Sequence, residues 1–174
     1  MANLPEVWLR GPLDGYPPLL MPVAHALLQA REDIERLVNT VPADVVWKRP
    51  GRAASVGFHV LHTGGSLERL ATYARGEALT PAQVQALKDE RTAETRGGPL
   101  ADTAAQTIAV IDAVLAQLRA TPPETLLDRR MVGRGELPST VIGLLMHLAE
   151  HTTRHVGQAM TTALVFEGHR GIGD

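Results

Sequence analysis

At 174 residues, with 44% hydrophobic and 21% charged residues, the chain has the balance of an ordinary globular protein able to bury roughly 70% of the surface its unfolded form exposes. A formal net charge of −2, with only two Phe, two Tyr and two Trp, argues against nucleic-acid binding, which needs basic groups for phosphates and aromatic rings for bases. The lack of cysteine excludes disulfides, thiolate catalysis and Cys-based zinc or iron–sulfur sites, and fits a reducing compartment.

The start, Met1-Ala2-Asn3-Leu4-Pro5-Glu6, has neither the basic residues nor the apolar run of a signal peptide. No stretch approaches the ~20 uninterrupted apolar residues that span a bilayer, so we expect a cytoplasmic protein with no membrane partner. One helical domain over 1–174 is expected, opening with an irregular arm over 1–18 that contains Gly11-Pro12, Gly15 and Pro17-Pro18. A first helix follows from about Leu19 to Asn39, with Leu27, Leu28, Ile34 and Leu37 on one face. Pro22 is tolerable only in its first turn. Ser55 can cap a second helix from Val56 to about Arg75, with Gly76 as its stop. Within it, Gly64-Gly65 costs about 1 kcal/mol per residue relative to alanine, which points to close packing against another helix.

Thr80-Pro81-Ala82-Gln83 combines a cap, an early proline and a capping-box Gln, predicting a short helix to about Glu90. A polar loop over Arg91 to Pro99 comes next, then a third long helix near Ala101 to Ala120. Its stripe of Ala104, Ile108, Ile111, Leu115 and Leu118 keeps the 3.6 period. Pro122-Pro123 ends it. Leu126 to Leu137 is the one candidate for a strand, and Gly133 and Gly135 weaken it. The last helix starts near Thr140 and runs to about Phe166, before Gly168. Four long helices, with a long crossover carrying a short helix between the second and third, predict an all-α four-helix bundle.

Five of the seven histidines fall on two of these helices: His59 and His62 on the second, His147, His151 and His155 on the last. A spacing of four puts the last three along one side, about 5–6 Å apart, where two imidazoles can converge on one ion. Leu144 and Leu148 share that side, so these histidines face the interior and need partners. Such residues are either hydrogen-bonded core and surface groups or ligands of an imidazole-preferring ion such as Zn, Ni, Cu or Fe, rather than Mg or Ca.

The run from Trp47-Lys48-Arg49-Pro50 through Ser55-Val56-Gly57-Phe58-His59-Val60-Leu61-His62-Thr63-Gly64-Gly65-Ser66-Leu67-Glu68-Arg69-Leu70 resembles the second-helix region of the DinB/YfiT-like superfamily. His147-Leu148-Ala149-Glu150-His151-Thr152-Thr153-Arg154-His155-Val156-Gly157-Gln158 resembles that family's last-helix motif, two histidines four apart running into Gly-Gln. The resemblance implies a four-helix bundle holding one divalent transition metal, Zn or Ni foremost, on His62, His151 and His155. His59 lies about 60° round the helix from His62, nearer the neighbouring helix than the ion. His147 is open to either an accessory or a surface role.

Three histidines leave a coordination position open, the arrangement of a catalytic site. Some relatives are metal-dependent transferases or isomerases that use small thiols such as bacillithiol or mycothiol. The resemblance therefore implies thiol S-transfer or hydrolysis on a small molecule. A metal-binding stress or accessory protein without turnover is the alternative, and a metal-free helical dimer with structural histidines a third. No general base stands out: Glu150 points about 100° from its neighbour His151, and Glu68, Arg69 and Gln158 are near the site by spacing only. A homodimer is expected, because the arm and first helix carry Trp8, Leu13, Leu19 and Leu20 in need of cover; the alternative is that the arm folds back over its own bundle.

Overall fold

Apolar residues at helical spacing decide where the long helices sit. In the computed structural model, which describes residues 4–170, α1 spans Met21–Thr40 and buries Val23, Leu27, Ala30, Ile34 and Leu37 along one face. Pro22 sits in its first turn, as its missing N–H requires. Helix α2, Val56–Ala74, starts where the Ser55 hydroxyl accepts the Phe58 N–H at 3.2 Å. It stops where Gly76 turns to a φ of 80°, a conformation cheap only for glycine. Residues 1–3 of the expected arm and 171–174 of the expected domain lie outside the described residues.

The capping box at Thr80 and Gln83 forms, and α3 runs over Pro81–Asp89. A polar loop was the expectation from Arg91 onward, but the chain stays helical: a 3-10 turn covers Glu90–Thr92 and a short α4 covers Ala93–Arg96. Burial explains the difference, since Glu90 and Ala93 both turn inward. Gln83 Nε2 donates to Thr72 Oγ1 at 2.9 Å and Glu94 Oε1 accepts the Ser55 N–H at 2.8 Å, so the crossover is fastened to α2 at both ends. Helix α5, Leu100–Ala120, follows with Ala104, Ile111, Leu115 and Leu118 buried.

Strands do occur in the weak candidate segment. β1, Arg129–Val132, pairs antiparallel with β2, Leu137–Thr140, in the register Arg129 to Thr140. The glycines that argued against a strand make its turn instead, with Gly133 at a φ of 67°. Helix α6, Val141–Arg170, leads directly out of β2 and continues past the expected stop near Gly168.

Helix α2 packs on α5 and α6, and α1 packs on the same two from the opposite side. The bundle is thus all-α apart from one hairpin, with a core of Leu27, Ile34, Leu67, Ile111, Leu118, Leu145 and Leu148 fully buried between the helices. Each contributes about 1.5–3 kcal/mol by leaving water. The arm is less irregular than expected, with 3-10 turns at Val7–Arg10 and Pro18–Leu20. Its buried Val7 donates its N–H to Gln29 Oε1 at 3.0 Å, and Arg10 forks onto Glu32 at 2.5 and 2.8 Å.

A candidate metal centre between α2 and α6

The contact between α2 and α6 sets histidines from the two helices against each other. His62 projects from the middle of α2, while His151 and His155 stand one turn apart on α6. Ring centroids lie 5.3 Å apart for His62 and His151, 4.6 Å for His62 and His155, and 4.5 Å for His151 and His155. One nitrogen of each lies within 4.8 Å of the others, and no Asp or Glu joins this set among the described residues. All three rings are half-buried.

Hydrogen bonding orients His62. Its Nδ1 stands 2.7 Å from Glu90 Oε2, while Arg69 Nη1 donates to Glu90 Oε1 at 2.5 Å. Burial pushes the Glu90 carboxyl up, but the hydrogen bonds from His62 and Arg69 outweigh it and hold it below the usual range. An ionised carboxylate only accepts, so Nδ1 carries the proton and, in the neutral ring, Nε2 presents a lone pair. That Nε2 faces His151 Nε2 at 3.1 Å.

This geometry fits an ion. Two imidazole nitrogens each about 2.0–2.1 Å from one zinc-type ion stand about 3–3.4 Å apart at the angles such ions accept. His151 Nδ1, on the other edge of the ring from Nε2, is buried with no protein partner. A donor set of three imidazoles matches Zn, Ni, Cu or Fe and not Mg or Ca. Burial, together with the neighbouring rings of His62, His151 and His59, holds His155 down to about 4. Burial lowers His151 as well. Both are therefore neutral, as ligands must be, across the physiological range.

The remaining candidates stand outside the set of three. His59 is buried with its Nδ1 3.1 Å from His155 Nδ1, against a proposed ligand rather than in the set of three. His147, expected to face the interior with His151 and His155, is instead exposed; its ring lies 5.5 Å from that of His151 and its Nδ1 3.5 Å from Glu150 Oε2. Glu150 is itself exposed and bonded to Arg154, and Glu68 and Gln158 are exposed too. Of the four polar residues noted by spacing, Arg69 alone reaches the centre, through Glu90. The sequence offered no signal for Glu90, because 28 residues and a helix break separate it from His62. Phe58 stacks on the His62 ring at 5.6 Å with the planes 5° apart, forming one wall.

Residues 26–159 match the model of a family described as the DinB superfamily. No curated protein matches the chain. No helix among the described residues is long and apolar enough to cross a membrane.

Proposed function

The chain belongs to the DinB superfamily, and from that premise we propose that it binds one divalent transition-metal ion, Zn or Ni, through His62, His151 and His155 and acts on small molecules there. The observation that carries this reading is the pair of facing Nε2 atoms 3.1 Å apart, with a nitrogen of His155 inside the same 4.8 Å group and no acid in it.

Three protein ligands leave room for a further molecule, and an ion of this type supplies Lewis acidity that lowers the pKa of a bound water or thiol. Transfer of a small thiol to an electrophile, or hydrolysis, follows from that chemistry, with the thiol class supported by the family resemblance. The chain's own contribution is to hold the ligands. Glu90 orients His62, His59 abuts His155, and Phe58 flattens one side of the site. Among the described residues no carboxylate stands free beside the three rings as a general base; Glu150 is exposed and occupied by Arg154.

Metal analysis of protein purified without a histidine tag, followed by a screen of thiols against electrophilic substrates, tests the proposal in two steps. His62→Ala, His151→Ala and His155→Ala should each strip the metal and leave the chain helical, because the core is mainly aliphatic and none of the three rings is fully buried in it. Wild-type stoichiometry in two of the three would refute the ligand assignment. Turnover lost in His151→Ala marks an enzyme. Metal bound at full stoichiometry with no turnover favours the alternative, a metal-binding accessory protein.

A further inference from the structure

We propose that Glu90, braced by Arg69 and admitted by the bare backbone of Gly65, is a positioning residue that holds His62 with Nδ1 protonated and Nε2 turned toward the metal centre. This rests on the three-histidine reading above and adds a residue to it.

Three observations converge on one carboxylate. Oε2 is 2.7 Å from His62 Nδ1, Oε1 accepts from Arg69 at 2.5 Å, and both Glu90 and Arg69 are buried. A Cβ at position 65 would stand 2.3 Å from Glu90 Oε1 and 2.8 Å from Arg69 Nη1. Any residue other than glycine would thus occupy the carboxylate's seat on α2. Gly64 differs, since a Cβ there meets Thr107 of α5 at 2.7 Å and not Glu90. The glycine pair therefore serves two purposes, one glycine for helix packing and one for the acid.

Stability alone does not account for the arrangement. A buried ion pair is often matched or bettered by apolar residues of the same volume, and tying the crossover to α2 needs only the oxygen that Arg69 holds. The second oxygen is spent on a histidine whose other nitrogen points into the cluster. A carboxylate behind a ligating histidine fixes the ring's tautomer and angle and raises its basicity. Arg69 balances the charge, so the hydrogen bond is made without leaving a net buried anion.

Two measurements on the full chain test this. Ring 1H–15N spectra of metal-free protein report the His62 tautomer, and competition against a chromophoric chelator reports zinc affinity. Wild type should show Nδ1–H at His62. Glu90→Ala should shift the ring toward Nε2–H and weaken zinc about 10–100-fold, the usual effect of removing such a partner. Glu90→Gln, close in shape, keeps one acceptor but cannot accept from both neighbours, so its affinity should fall between the two. Gly65→Ala should lower affinity as Glu90→Ala does, whereas Gly64→Ala should bind zinc with wild-type affinity. Wild-type zinc affinity in both Glu90 variants, or lowered affinity with an unchanged His62 tautomer, would overturn the role of Glu90. A wild-type chain that binds no zinc or nickel would instead overturn the metal reading on which it rests.

Discussion

Five histidines on two helices have five different surroundings, and those surroundings predict unequal consequences. His59→Ala removes the ring against His155 Nδ1, so it should retain metal at full stoichiometry but release it more readily to a chelator. His147→Ala removes an exposed ring paired with Glu150 and should leave affinity as it is. Equal weakening in both variants would contradict the difference drawn between them. Acid acts on the same residues. His155 in the folded, metal-free chain has its pKa held down to about 4, with burial the largest cause, whereas an unfolded histidine titrates near 6.5. Between those values the unfolded chain takes up a proton that the folded one refuses, so folding stability falls as pH drops from about 6.5 to about 4. The contribution is fully present above that window and gone below it. Glu90, held low by His62 and Arg69 against the effect of its burial, adds a loss of the same sign at the acid end. Thermal melts of metal-free protein at pH 7, 5.5 and 4 should show a descending midpoint, with a shallower descent in His155→Ala. A midpoint independent of pH across that range would count against these depressed values. Bound metal should be lost in the same direction, below about pH 6.5, because only neutral imidazoles coordinate.

At the scale of elements, the sequence was most legible where a single periodicity or cap governs. The Ser55 cap, the box at Thr80, the stripe on α5 and the stop at Gly76 all form where local chemistry placed them. The His62, His151 and His155 grouping was legible through the family motif, while four-residue spacing by itself spoke only to the last-helix histidines. Glu90 was not, since nothing local distinguishes a helix-end glutamate that turns inward from one that stays in water. The hairpin was missed for a related reason. Gly133 and Gly135 argue against a strand as composition but make a tight turn between two, and pairing across that turn is a tertiary fact. Gly57 is similar: a Cβ there would stand 2.8 Å from the Trp47 ring, whose Nε1 donates to Gly98 O at 2.7 Å. The motif residue Trp47 thereby clamps the entry of α2 to the end of the crossover. Gly64 gives the element-level test. Alanine would gain about 1 kcal/mol in helix propensity, but its Cβ would meet Thr107 Oγ1 at 2.7 Å and the Thr107 backbone at 3.2 Å. Overpacking of this kind costs about 1–3 kcal/mol, and the 2.9 Å hydrogen bond from Thr107 Oγ1 to Val60 O would be disturbed as well. Gly64→Ala should therefore lower the urea midpoint; a raised midpoint would show that α2 and α5 can part without cost.

For the whole molecule, we propose a homodimer, and the structure narrows the surface that motivates it. Part of the expected apolar surface is already covered within the chain: Leu20 is fully buried and Leu13 packs against the core. The arm folds back on α1 through Val7 and Arg10, which removes the need for a partner along that stretch. Trp8 and Leu19 nonetheless remain 60% and 66% exposed, and Leu164 on α6 is 64% exposed. Scattered apolar residues are normal on a monomer, whereas a contiguous patch beyond a few hundred Å² marks an interface. The shallow groove between α1 and α6 supplies that continuity, since Trp8, Ala26, Val156 and Met160 line one part of it and Leu37, Met160 and Leu164 line the next. A second chain laid along this groove, which His25 also lines, would cover it without touching His62, His151 or His155, which meet between α2 and α6 on the other side of α6. Metal content and assembly should therefore vary independently. Sedimentation at micromolar concentration should give a mass near twice 18.7 kDa, and should do so equally for His151→Ala stripped of metal. Replacing Trp8 and Leu164 together, Trp8→Glu with Leu164→Glu, should return the monomer with zinc affinity unchanged. A wild-type mass near 18.7 kDa with or without metal would rule the dimer out. Dissociation on metal removal would relocate the interface to the metal-binding side of the bundle.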